Sequence, residues 1–135
     1  MVKLILGVKG TGKTKTLIEM VNQAQLATNG CVVCIEKGNK LRYDINSQIR
    51  LIDTVEYLVS DAQSLYGFVA GILASNYDVT DIFIDSCHKI CNEDVAAFEK
   101  FLLEVEALSL KNDVNVVITS SVPTEETTDV MRKFI

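Results

Sequence analysis

The sequence predicts an α/β protein, a three-layer sandwich built on a mainly parallel sheet of about five strands. Three observations lead there. Short apolar runs alternate with helical patterns along all 135 residues, the order that yields a parallel sheet with helices on both faces. The runs are nearly continuous in apolar residues, as in Val2–Leu6, Cys31–Ile35, Ile82–Ile84 and Val116–Ile118, which suits strands covered on both sides. A glycine-rich turn, Gly7–Thr14, joins the first run to the first helical pattern.

The elements follow in order. A first strand covers Val2 to Leu6. A helix runs from Lys13 to about Ala27, with Leu17, Ile18, Val21 and Ala24 as its inward stripe. Asn29-Gly30 ends it. The second strand is Cys31 to Ile35 and finishes on Glu36. Lys37 to Gln48 reads as polar and irregular, with Gly38 and Asn39 as turn signals. Ile49–Ile52 reads as a short third strand. Ser60 with Gln63 resembles a capping box, and Leu65, Phe68, Val69, Ile72 and Leu73 then form one face of a helix ending near Asn76.

The fourth strand is Asp81 to Asp85. Asn92 is the expected cap of the next helix, with Glu93 and Asp94 in its first turn. Val95, Phe98, Leu102, Val105 and Leu108 make that helix's stripe, and Asn112-Asp113 turns the chain out of it. Val114–Thr119 is the fifth strand. A last short helix is expected from about Thr124 to Phe134. No repeat, low-complexity run or long linker divides the chain, so residues 1–135 form one domain.

Composition narrows the functional classes. Net charge is −5, which argues against a broad nucleic-acid surface, because such surfaces cluster Lys and Arg. No window approaches roughly eighteen consecutive apolar residues, so no membrane span is expected. The opening strand and turn do not read as a signal peptide, and a cytoplasmic location is expected. The cysteines are Cys31, Cys34, Cys87 and Cys91. Their C-x2-C and C-x3-C spacings invite a zinc reading. However, Cys31 and Cys34 lie three apart on a strand and so point to opposite faces. Buried thiols are the expectation.

The turn carries the chemistry. Gly7-Val8-Lys9-Gly10-Thr11-Gly12-Lys13-Thr14 matches G-x-x-x-x-G-K-[ST] in full, between a strand and a helix. Such a loop turns its backbone N–H groups inward as an anion-binding nest, and the new helix adds the positive end of its dipole. Lys13 is placed to reach β- and γ-phosphates and the Thr14 hydroxyl to hold Mg²⁺. Lys9 either touches the terminal phosphate or is an exposed loop lysine.

Ligands of parallel sheets bind beyond the carboxyl ends of the strands. Glu36, Asp53, Asp85–Ser86 and Thr119–Ser121 therefore join the candidate region. Asp85 ends an apolar strand, where a carboxylate would hold the Mg²⁺ water shell. Hydrolysis further needs a group that orients or deprotonates water. Ser86 is not a glutamate, so Glu36, at the end of the second strand, is the candidate base. Its alternative reading is a solvated strand-end glutamate. Arg42 and Arg50 read as surface residues, and His88 as a loop residue.

With these motifs the chain resembles the core of the RecA-type ATPases of the P-loop NTPase superfamily. The resemblance rests on Gly7–Thr14 as Walker A, Glu36 at the strand end that carries the family's general base, Ile82-Phe83-Ile84-Asp85-Ser86 as Walker B, and Val116–Thr119. It is also similar to short stand-alone bacterial P-loop proteins. The resemblance implies ATP and Mg²⁺ as cofactors, and often assembly with a neighbouring subunit that supplies a basic finger. A protein partner or a homo-oligomer is therefore expected. Thr119-Ser120-Ser121 stand where such ATPases usually carry a glutamine.

The leading expectation is an ATP·Mg²⁺-binding protein with slow ATPase activity, in which Lys13 and the loop amides stabilise phosphate charge and Glu36 orients water. Two other expectations stand beside it. One is a nucleotide-dependent switch without hydrolysis, in which the segment around Lys37–Gln48 responds and a protein partner reads it. The other is a phosphotransferase with an acceptor pocket near Arg42 or Arg50.

Overall fold

A computed structural model describes residues 1–135. Five strands form one sheet: β1 (Val2–Leu6), β2 (Cys31–Glu36), β3 (Arg50–Asp53), β4 (Val79–Ile84) and β5 (Asn115–Ser120). Their order is β1-β5-β4-β2-β3, and every pairing is parallel. The long helices are α1 (Lys13–Ala27), α2 (Ala62–Ser75) and α4 (Val95–Asn112). Short helices α3 (Cys87–Ile90) and α5 (Asp129–Arg132) flank α4 in sequence.

The strand order explains the layers. From β1 the chain crosses over two strand positions to reach β2, continues outward to β3 at the edge, and only then turns back to β4 and β5. Parallel crossovers take one hand, so a reversal of direction sends the later helices to the opposite face. Leu17 and Val21 of α1 pack with Val32, Cys34, Phe83 and Val117 on one face. Leu65 and Val69 of α2 and Phe98, Leu102 and Val105 of α4 pack with Leu4, Val33, Ile35, Ile82, Ile84, Val116 and Ile118 on the other. Alternate residues of each strand serve the two cores, so both faces must be apolar. No helix is long and apolar enough to cross a membrane.

The segment expected to be polar and irregular is instead docked. Leu41, Ile45 and Ile49 are buried and complete the core beneath α1. Asn22 of α1 fixes the segment from both sides: its Oδ1 accepts from the Asn46 N–H at 2.9 Å and its Nδ2 donates to the Asp44 carbonyl at 3.0 Å. One helix cannot cover this face of a five-stranded sheet, and the segment fills the remainder.

Local signals were displaced at several ends. The third strand lies one residue further on, at Arg50–Asp53. Ser60 and Gln63 do not form the capping box of α2. Asp61 caps it, accepting from the Ser64 N–H at 2.7 Å while Ser64 Oγ accepts from the Asp61 N–H at 3.1 Å. A shorter side chain at the third helical position closes the same reciprocal geometry.

Asp94, not Asn92, caps α4, accepting from the Ala97 N–H at 3.1 Å. Asn92 and Glu93 take left-handed conformations that turn the chain from α3 into α4, and Asn92 Nδ2 donates to the Ser60 carbonyl at 2.8 Å. The last helix is broken into a 3₁₀ turn at Thr124–Glu126 and α5, because Thr128 starts a new helix by accepting from the Met131 N–H at 3.2 Å.

All four thiols are free. Cys31 and Cys34 fall on opposite faces as expected, beside the α4-side and α1-side cores respectively. Cys87 and Cys91 are buried one helical turn apart. Burial, foremost, pushes the Cys34 and Cys87 thiols up, which keeps them protonated and poor nucleophiles.

Leu17 is fully buried, one turn into the helix that starts at the glycine-rich loop. Leu17→Ala should lower the unfolding free energy by about 2–5 kcal/mol in a urea titration. Leu110→Ala, at a side chain 71% exposed, should change it by no more than about 0.5 kcal/mol.

Candidate functional site

The parallel register brings the strand ends to one rim. Leu6 pairs with Ser120, Ile84 with Ile118 and with Ile35, and Glu36 with Asp53. The residues that follow β4 therefore emerge beside Glu36 at the end of β2, and those that follow β1 lie on the same rim, with β5 and β4 between. This gathers Gly7–Thr14, Glu36, Asp53, Asp85 and Thr119–Ser121 from distant parts of the chain.

The loop has the backbone its glycines predict. Gly12 holds φ 85° and ψ 14° directly before α1, a left-handed conformation that costs other L-residues roughly 1–2 kcal/mol. Gly7 is needed for space, because a Cβ there would lie 2.6 Å from Thr11 Oγ1. The Val8 carbonyl gathers the loop's donors: Lys13 Nζ at 2.9 Å and Thr11 Oγ1 at 2.8 Å. Lys13 thus arches back over the loop, at the mouth of a cavity of about 380 Å³.

Asp85 lies opposite. It is 8% exposed, and a buried carboxylate requires partners. Thr119 Oγ1 donates to its Oδ1 at 2.6 Å. The Thr14 hydroxyl lies 3.3 Å from Oδ1 and 3.5 Å from Oδ2. Neighbouring oxygens around Mg²⁺ stand about 3 Å apart, given bonds of about 2.1 Å, so Thr14 and Asp85 fit one such cation, directly or through its water.

The turn beyond Asp85 is strained. Ser86 has φ 53° and ψ 44°, rare for a residue other than glycine. Its N–H donates to Thr119 Oγ1 at 2.9 Å. Ser120 Oγ likewise accepts from the His88 N–H at 3.1 Å. Together these bonds hold α3 against the rim. The His88 ring packs edge-on against Phe98 with centroids 5.4 Å apart, and its buried Nδ1 has no partner.

Glu36 stands at the rim but is not a solvated glutamate: it is 2% exposed. Its Oε1 accepts from the Lys40 N–H at 3.1 Å and its Oε2 from the Leu41 N–H at 3.0 Å. A carboxylate offers about four lone-pair positions, so two remain. Glu36 and Asp85 border a smaller cavity of about 230 Å³ with Ser86, Lys37, Lys40 and Lys89. Asp53 does parallel work, its Oδ1 accepting from the Gly38 N–H at 2.8 Å and the Val55 N–H at 2.9 Å.

Sequence reasoning missed two contributors, Lys40 and Lys89, and the partner of a third. Thr119 was visible as a strand-end residue, but its bond to Asp85 depends on β5 lying next to β4. Lys40 and Lys89 line the main cavity with no motif to mark them. Arg42 and Arg50 are not in this cavity. They border a separate one of about 370 Å³ beside β3, and Arg42 stacks on Tyr43 at 4.7 Å.

The geometry defines a class: a parallel α/β domain whose glycine-rich loop faces a buried aspartate across one rim of the sheet. No protein-family model matches the sequence, and no curated protein matches it.

Burial, foremost, raises the Glu36 carboxyl above the ordinary carboxylate range, and the charges of Asp85 and Asp53 add to this. The Leu41 and Lys40 amides oppose it. A raised acid contributes its full stability below its unfolded value and loses it as pH climbs through the folded value. Between about pH 4 and 8, urea midpoints should therefore fall more steeply with rising pH in the wild type than in Glu36→Gln, which does not ionise. Parallel slopes would show that Glu36 does not carry the effect.

Proposed function

We propose that the protein binds a nucleoside triphosphate, ATP foremost, with Mg²⁺ at Gly7–Thr14, and that it is a slow ATPase of RecA-like P-loop type. The carrying observation is the 3.3 Å approach of the Thr14 hydroxyl to the Asp85 carboxylate at the foot of the glycine-rich loop. Such a pair, set between a helix N-terminus and a lysine that forms no ion pair, is suited to a phosphate chain and its divalent cation.

The roles follow from position. The loop amides and α1 receive phosphate oxygens. Lys13 exchanges the Val8 carbonyl for a phosphate oxygen, a stronger partner because it is charged. Thr14 and Asp85 hold Mg²⁺, which when bound neutralises phosphate charge. Glu36, with two lone-pair positions uncommitted, borders the smaller cavity beside Asp85 and orients water there.

One observation favours the switch reading. The Glu36 carboxylate is bonded to the amides of Lys40 and Leu41, at the head of the segment docked on α1. A terminal phosphate that drew on the Lys40 ammonium would alter that clasp, and a protein partner or a second copy could read the change.

Calorimetry with ATP and GTP, with and without Mg²⁺, tests the binding reading. Micromolar Mg²⁺-dependent binding is expected, with a loss of at least about tenfold in Lys13→Ala and in Asp85→Asn. Absence of binding in the folded wild type would overturn it. Phosphate release under single-turnover conditions separates the two roles of Glu36. Loss of turnover in Glu36→Gln with binding retained supports the base, whereas unchanged turnover removes it.

A further inference from the structure

The charges around the cavity are unevenly placed. The protein carries a net charge of −5, yet five of its ten lysines, Lys9, Lys13, Lys15, Lys40 and Lys89, line one cavity. Only two carboxylates, Asp85 and Glu93, face them there. None of these lysines forms an ion pair, since the one salt bridge joins Arg132 to Asp129. Like charges gathered without partners repel one another, and a polyanion relieves that repulsion.

Lys40 and Lys89 differ from the rest. They lie outside the glycine-rich loop, on the segment after β2 and in the last turn of α3. With Asp85 and Ser86, they are the residues common to the main cavity and the smaller one beside Glu36. Both backbones are fixed. The Lys40 N–H is bonded to Glu36 Oε1 at 3.1 Å, and the Lys89 N–H to the Ser86 carbonyl at 3.1 Å. Two anchored backbones thus carry two cations to the Asp85 end of the cavity. A phosphate chain whose inner phosphates rested on the loop amides would reach that end with its terminal phosphate.

The lining offers little to a nucleobase. Among its fourteen residues, Leu41 is the single hydrophobic one, and it is 2% exposed. No aromatic ring other than His88 borders the cavity, so no apolar slot is present for base stacking.

Resting on the P-loop reading, we infer that Lys40 and Lys89 form a terminal-phosphate clamp supplied in cis. The site therefore selects its ligand by the length of the phosphate chain, and it needs no basic finger from a neighbouring subunit. The recognised chemistry is a magnesium-bound triphosphate chain.

Calorimetry with Mg²⁺-ATP, Mg²⁺-ADP and Mg²⁺-tripolyphosphate tests this, with light scattering to confirm that the titrated species is a monomer. The wild-type monomer should prefer ATP to ADP by more than about tenfold and bind tripolyphosphate within about tenfold of ATP. Lys40→Ala and Lys89→Ala should each weaken ATP and tripolyphosphate by about tenfold while ADP stays within about twofold. Lys40→Arg should keep most of the preference. Both lysines are exposed, so far-UV circular dichroism should show all variants folded.

An ATP preference that survives the double substitution, or that appears only in an oligomer, overturns the clamp and leaves the P-loop reading standing. An equal loss of ADP makes the lysines a general field and also overturns it. A folded wild type that binds none of the three ligands overturns both readings.

Discussion

A buried carboxylate has to be satisfied, and at Asp85 that requirement ties three elements together. Its partners are the Thr119 hydroxyl from β5 and the Thr14 hydroxyl from α1. Hydrogen bonds to a charged acceptor are worth about 1.5–3 kcal/mol, and an unsatisfied buried charge costs more. The position of β5 beside β4, the start of α1 and the sharp turn at Ser86 are all tied to this group. The same arrangement leaves the carboxylate lining the cavity beside the glycine-rich loop.

The second constraint is the shortage of helix on the α1 face. A single long helix leaves part of that face of the sheet bare. Leu41, Ile45 and Ile49 cover the remainder, and Asn22 stitches the segment to α1. Glu36 and Asp53, at adjacent strand ends, bind the first amides of the same segment. Packing and site are thereby joined: the residues that close the core also hold Lys40 at the cavity. An exchange at Glu36 would be felt in both.

The strand–loop–helix beginning was fully legible, because its signals are local. The span from Val2 to Ala27 needs only a run of apolar residues, a glycine motif and a helical stripe. Asp85 was equally legible as a polar residue ending an apolar strand. The docked segment was not, although its apolar residues recur at every fourth position. Their burial depends on which face the neighbouring helices leave open. Asn92 looked like a cap by composition, but the left-handed turn after α3 moved the cap to Asp94. Lys40 and Lys89 carry no local signature at all, since exposed lysines look alike in a sequence.

The sequence carried what depends on near neighbours: strand and helix identity through periodicity, the left-handed loop before α1 through glycine spacing, and the burial of three of the four thiols through apolar surroundings. Folding in three dimensions settled what depends on strand order and register. It placed β5 between β1 and β4, so that Thr119 meets Asp85. It buried Glu36 as a clasp on two amides, which removes only the alternative of a solvated strand end, and it brought lysines from separate segments around one cavity. The physical reason is range. Backbone propensity acts over a few residues, whereas hydrogen bonds and charges act through space between residues the chain keeps far apart.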